Sequence, residues 1–196
     1  LPSFGMRWLA PRLPRLTQAH PDLVVNLSAR TDIFDFTREA FHGAIHVGGA
    51  DWPDAEHDLL FSELVVPVVA PALLERHPIS SPEDFLHVPM LVQSQRRDAW
   101  ARWFAMFGLP GPEIENLPNA SHFLMLAQSV KAGGGAALLP SFLITPELTA
   151  GELIIPFDAP LIEERSYWLA FPESSKRIKA FALFREWLRR ECQDPD

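Results

Sequence analysis

The sequence predicts an α/β protein, with strands alternating with helices in a largely parallel sheet covered on both faces. Three observations carry that reading. Runs with apolar residues three and four apart alternate with short apolar or β-branched runs along almost the whole chain. Glycines, prolines and Ser/Asp pairs fall at the joints between them. The stretch AGGGAALLP (132–140) then joins a helix to a strand in that order. Three consecutive glycines suggest a phosphate-cradling loop, but such a loop runs strand, glycines, helix, so that a helix N-terminus faces the anion. Here Phe123, Leu126, Ala127 and Val130 trace a helical stripe before the glycines, and Pro140 closes an apolar run after them. No Lys-Ser or Lys-Thr follows, as a phosphate loop requires. The glycines are read as a helix C-cap and tight turn.

The elements follow in order. Met6, Leu9, Leu13 and Leu16 mark a first helix whose regular part Pro11 and Pro14 confine to the later turns. LVVNLS (23–28) is a β-rich run, DIFDFTREAF (32–41) an amphipathic helical one, and AIHV (44–47) a strand. LLFSELVVPVVAP (59–71) holds two extended runs. Ser81-Pro82-Glu83-Asp84 starts a helix, with an N-cap, a first-turn proline and acids at the positive end of the dipole. MLV (90–92) is a strand, and Arg97 to Phe107 a helix striped by Trp100, Trp103, Phe104 and Phe107. After the glycine turn come a short helix near 141–149 and the strand-like runs LIIPF (153–157) and YWLAF (167–171). A closing helix from Ser175 to Cys192 puts Ile178, Phe181, Phe184 and Leu188 on one side.

Composition narrows the function. A formal charge of −8 argues against a nucleic-acid surface on this stretch, because neutralising phosphates needs clustered Lys and Arg. Arg185, Arg189 and Arg190 do cluster, but among acids on the last helix, and read as a solvated face. No apolar run reaches the ~18 residues of a membrane span. The single cysteine, Cys192, excludes an internal disulfide and a cysteine-based metal site, and fits a reducing cytoplasm.

No catalytic constellation emerges, and the chain is read as a non-enzyme without cofactor or metal. His42 and His46 have the i, i+4 spacing of a zinc helix but lack its glutamate, and Gly43 breaks the helix between them. No G-x-S-x-G elbow appears. Asp32, Asp35, Asp51 and Asp54 are explained by solvation. What recurs is a small polar residue at each junction where a parallel sheet binds ligands: Ser3, Thr31 and Asp32, Gln93 and Ser94, Ser121 and His122. Each also reads as a cap or turn residue. Helix starts with hydroxyl groups suit an anionic or zwitterionic small ligand.

The stretches SFGMRWLAPRLPRLTQAHPDLVVNLS, DFTREAFHGAIHVGGADWP, RRDAWARWF, AGGGAALLP and SYWLAF, in that order, resemble the effector-binding domain of LysR-type transcriptional regulators. The similar branch is that of the glycine-cleavage activator and the β-lactamase regulator. The resemblance implies two Rossmann-like lobes joined by two crossover strands, in a type II periplasmic-binding-protein arrangement. Residues 1–68 plus 171–196 would form lobe one and 69–170 lobe two, with the crossings in VVPVV and YWLAF. A small effector would bind in the interlobe cleft through Ser3 and Phe4, residues around Thr31, Asp35 and Gly48, the helix start at Ser121 and His122, and Tyr167, with Gln93 among the junction residues. His122 stands where relatives carry a small hydroxyl residue. The resemblance also implies a homodimer through this domain, a tetramer of the full-length protein, and DNA contact only through an upstream winged helix-turn-helix that this sequence does not contain. The rival readings are a solute-binding protein serving transport, which the same fold supports, and an enzyme on a two-lobed scaffold.

Overall fold

The computed structural model describes residues 1–30 and 32–193, and divides the chain into two units, Leu1–Glu63 with Glu163–Asp196, and Leu64–Ile162. Two strands, β2 (Glu56–Val68) and β6 (Leu161–Phe171), are hydrogen-bonded neighbours that each run from one unit into the other.

The first unit opens with one continuous helical stretch: α1 (Pro2–Phe4), a π turn (Gly5–Leu9) and α2 (Ala10–Ala19). The Ala10 amide reaches back five residues to the Gly5 carbonyl. This wide turn carries the helix into Pro11 and Pro14, which the sequence reading treats as boundaries. It also shifts the helical phase, so the buried stripe is Phe4, Trp8, Leu9 and Leu16 and Met6 faces solvent. Residues 23–28 form no strand, because no ladder partner flanks them among the described residues, and Val24 and Leu27 are exposed. Residues 32–41 form turns rather than a helix. Their aromatic rings close on one another instead, with Phe34 in contact with Phe36, Phe41 and Trp52. Strand β1 (Ala44–Gly48) pairs antiparallel with β6 over Ala44↔Ala170 to Gly48↔Ser166.

Helix α7 (Lys179–Gln193) buries Phe181, Trp187 and Leu188. Arg185 is not on a solvated face: its guanidinium grips Asp58 of β2 with two bonds of 2.5 and 2.7 Å and lies 4.6 Å over the Phe171 ring. Both bonds need the planar fork that lysine lacks. Arg185→Lys and Arg185→Ala are therefore each expected to lose about 1–2 kcal/mol in urea denaturation. A lysine variant as stable as the parent would show that the fork is not what matters. Partial burial pushes the Cys192 thiol up to about 12, which disfavours the thiolate.

The second unit contains α3 (Pro71–Arg76), β3 (Met90–Gln93), α4 (Ala99–Ala105), β4 (Asn119–Ala120), α5 (Phe123–Lys131), β5 (Ala136–Pro140) and α6 (Thr145–Thr149). Its strands lie in the order β2-β5-β3-β4. The pairs of β3 with β4 and β5 are parallel, while β2 runs antiparallel to β5, so the sheet is mixed rather than largely parallel. Alternation along the strands supplies two apolar layers. Met90, Val92, Ala136 and Leu138 face Phe85, Trp100, Trp103 and Phe104; Leu91, Ala137 and Leu139 face Leu126, Ala127 and Val130 of α5. The buried indoles find acceptors, Trp100 donating to the Leu91 carbonyl (3.1 Å) and Trp103 to that of Ala159 (2.7 Å).

Helix α5 ends as the sequence predicts, with Gly133 at φ +84 and the Gly134 amide bonded to the Ser129 carbonyl at 2.9 Å. The Ser81 start is present but leads into a 3-10 turn (Pro82–His87), where Asp84 accepts from the Ser80 and Ser81 amides at 2.9 Å each. LIIPF contributes a single bridge, Val69↔Ile154, rather than a strand, and the two runs of LLFSELVVPVVAP belong to one strand, β2.

Candidate functional site

In the first unit, Ser3 and Phe4 sit on α1 and are buried, so Ser3 is not the cap of this helix; Leu1 holds that position. The Phe4 ring stacks on Tyr167 of β6 at 5.3 Å and on Trp8 at 5.0 Å, and Phe61 of β2 stacks on Tyr167 at 4.8 Å. Tyr167 is 2% exposed and donates its hydroxyl to Glu63 Oε1 at 2.9 Å. Glu63 is fully buried. Sequence reasoning missed it, although the signal was present: in LLFSELVV it shares alternation phase with Phe61 and Val65, placing a carboxylate on an apolar face.

Asp35 lies on the exposed 32–41 turn, where its Oδ1 accepts from both the hydroxyl and the amide of Thr37 at 2.7 Å each. The Thr37 hydroxyl, then its amide, hold the Asp35 carboxyl below the usual carboxylate range. Such a local turn competes with helix and accounts for the missing helix here. Gly48 ends β1 at φ +148, opposite Ser166, and its carbonyl accepts from the Trp168 indole at 3.0 Å. Thr31 lies outside the described residues. His42 is exposed and His46 half-buried on β1, and among the described residues no group of three or more His, Cys, Asp or Glu could hold a metal.

In the second unit, Gln93 at the end of β3 donates to the Ser121 carbonyl (2.9 Å) and accepts from the Gln95 amide (2.8 Å). Ser94 donates to Asn119 Oδ1 (2.9 Å), so the β3 end and the approach to α5 are tied by side chains as well as by the β4 pairing. Ser121 is exposed, and His122 is the N-cap residue of α5 without a side-chain cap bond. Neither side chain caps the helix: the Ser121 hydroxyl turns to Met125 Sδ (3.9 Å) and the Met125 amide to the His122 carbonyl (3.0 Å), so the positive end at Phe123 and Leu124 has no capping side chain. Arg96, buried, holds its guanidinium 5.0 Å over the Phe123 ring at the same helix start.

The structure thus brings Phe4 and Tyr167 together in one unit and Gln93, Ser121 and His122 together in the other, while the Asp35 carboxylate is engaged within its own turn. An α/β chain of two units, with β2 and β6 each running from one unit into the other, has a periplasmic-binding-protein-like fold. The chain belongs to the LysR substrate binding domain family, which matches residues 1–193. It is 31% identical over 189 residues to the glycine cleavage system transcriptional activator of Escherichia coli K12, covering 96% of this chain and 62% of that protein. It is 32% identical to the HTH-type transcriptional activator AmpR of Citrobacter koseri, covering 95% of this chain and 63% of that protein. The chain therefore spans less than two thirds of the length of these relatives. Among solved structures, the effector domain of AmpR of Pseudomonas aeruginosa superposes with a TM-score of 0.85 at 28% identity, covering 97% of this chain and 91% of that one. The Citrobacter freundii effector binding domain, in a form with one threonine, one serine and one tyrosine replaced by valine, alanine and phenylalanine, superposes with a TM-score of 0.84 at 26% identity, covering 97% and 94%.

Proposed function

We propose that this chain is the effector-sensing part of a transcriptional regulator, recognising a small anionic or zwitterionic metabolite. The observation that carries the ligand class is the start of α5, where the amides of Phe123 and Leu124 stand beside Ser121 and His122 without a capping side chain. Ser3, Phe4, Asp35, Gly48 and Tyr167 of the first unit and Gln93, Ser121 and His122 of the second are its contacts or their supports, with Thr31 joining them by sequence position. A threonine, a serine and a tyrosine are the residues replaced in the Citrobacter freundii domain, and Ser3, Ser121 and Tyr167 are hydroxyl-bearing residues in a like order here.

Effector binding biases this domain between arrangements by its differential affinity, a coupling of about 1–3 kcal/mol in typical allostery. A homodimer of this domain, within a larger assembly of the full-length protein, passes the change to an upstream DNA-binding domain in the cytoplasm. A thermal-shift screen of amino acids and small carboxylates tests the reading. A hit present at about 100 times its Kd stabilises by ~2.7 kcal/mol, and Ser3→Ala and Ser121→Ala should each reduce that shift. Full retention in both variants removes the site assignment, and no shift from any carboxylate removes the ligand class.

A further inference from the structure

A second set of titratable and aromatic side chains in the first unit gathers around β1, apart from the Phe4–Tyr167 stack. It joins His46 of β1, Trp52 of the loop 49–54, His57 of β2 and Trp168 of β6. The rings of His46 and His57 are 5.9 Å apart, His46 and Trp52 5.3 Å, and His57 and Trp168 6.3 Å. His57 Nε2 accepts the Trp52 backbone N–H at 3.1 Å. An accepting nitrogen carries no hydrogen, so while this bond is made the ring's N–H is at Nδ1. Trp52 passes the connection on: its indole donates to the Phe34 carbonyl at 3.1 Å, and its ring meets Phe34 and Phe36. His46 Nε2 is buried and makes no hydrogen bond.

We propose that His46 and His57 form a proton-operated latch, docking the 34–41 turn and the 49–54 loop against β1 when neutral and releasing them when protonated. A proton taken up by the His57 Nε2 lone pair sets N–H against N–H and breaks the bond to Trp52. A proton on His46 Nε2 places charge on a buried atom that has no acceptor, beside a second imidazole. Asp51 and His57 are the charged or titratable groups that act on His46, from the loop and from β2, while β6 presents Trp168 to His57. Burial, then His57, hold the His46 imidazole below the ordinary histidine range, and Asp51 opposes them. For a base lowered in the folded state, the unfolded chain binds more protons, so stability present above the ordinary histidine value is lost as pH falls toward the folded one. The released segments carry Asp35, and Gly48 adjoins them, so on the reading proposed above the latch would also make the effector response depend on pH.

Hydrogen exchange of the chain without effector tests the latch independently of that reading. Between about pH 7.5 and 5.5, after correction for chemical exchange, amides of 34–41 and 49–54 should lose protection about tenfold, while those of β1, α4 and α5 should not change. In the His46→Phe, His57→Gln double variant the glutamine oxygen accepts the Trp52 amide at either pH, and protection should stay constant. An unchanged parent, or a double variant that loses as much as the parent, overturns the latch. If the double variant does not fold, the long-range 1H–15N spectrum of the parent imidazoles decides: a bare Nε2 on His57 near pH 7.5 supports it, and a protonated Nε2 at that pH with Nδ1 bare overturns it.

Discussion

Gly135→Ala is expected to be the most damaging single-methyl change in the chain. Gly135 follows the turn that ends α5 and stands at φ +138, where an added Cβ would lie 2.2 Å from the Pro89 carbonyl oxygen. That oxygen cannot simply retreat, because it accepts the Ala136 amide at 2.8 Å and leads directly into the Met90↔Ala136 register of the parallel β3–β5 pair. Strain at the backbone angle and forced displacement of a sheet strand add to roughly 3–5 kcal/mol. In a domain of this size that lowers Tm by about 10 °C. Two other glycines calibrate the result. Gly133→Ala meets only the end of the Arg76 side chain at 3.9 Å, so its left-handed angle leaves a cost of about 1 kcal/mol. Gly5→Ala, at φ −56 with nothing within 4 Å, should be neutral or slightly stabilising. If Gly135→Ala melts with Gly133→Ala, the close approach to Pro89 is not a determinant of the fold.

The same segment shows what the sequence could reveal. The helix, glycine, strand order of 123–140 was legible because local rules and tertiary packing agree there: the stripe of α5 faces the sheet and the glycines occupy angles that other residues avoid. The aromatic stripe of α4 was legible for the same reason. LVVNLS was misread because β propensity describes a residue's fit to a sheet, and no ladder flanks residues 23–28 among those described. The 32–41 turn was misread because Asp35 and the phenylalanines satisfy themselves locally. The π turn was not legible at all, since one extra residue per turn rotates every later position off the ideal period. A unit assembled from both ends of the chain leaves no periodic trace, and its two-lobed form entered only through the family resemblance. For the candidate site, helix starts marked Gln93, Ser121 and His122, whereas Glu63 hid inside an apolar strand.

That hidden carboxylate underlies the second large effect. Tyr167→Phe keeps the ring stacked on Phe4 and Phe61 and removes only the hydroxyl that Glu63 Oε1 accepts at 2.9 Å. Because Glu63 is fully buried, water does not replace the lost donor without rearrangement, and the expected loss is about 1–3 kcal/mol. Tyr167→Leu should lose more, by roughly 0.5–1.5 kcal/mol for each aromatic contact given up. The decisive comparison is a double-mutant cycle in urea. Removing the carboxylate as well, in Tyr167→Phe with Glu63→Leu, should cost less than the sum of the single changes, because each single change already breaks the one bond between the two side chains. A coupling near zero would mean that the hydroxyl and the carboxylate act separately, and that Tyr167 is held by ring packing alone. A coupling above about 1 kcal/mol would make Glu63 the residue that fixes the phenol's direction. Glu63→Gln then separates charge from geometry: an amide oxygen can still accept the hydroxyl, so a stable glutamine variant assigns the effect to the bond rather than to the ionised group.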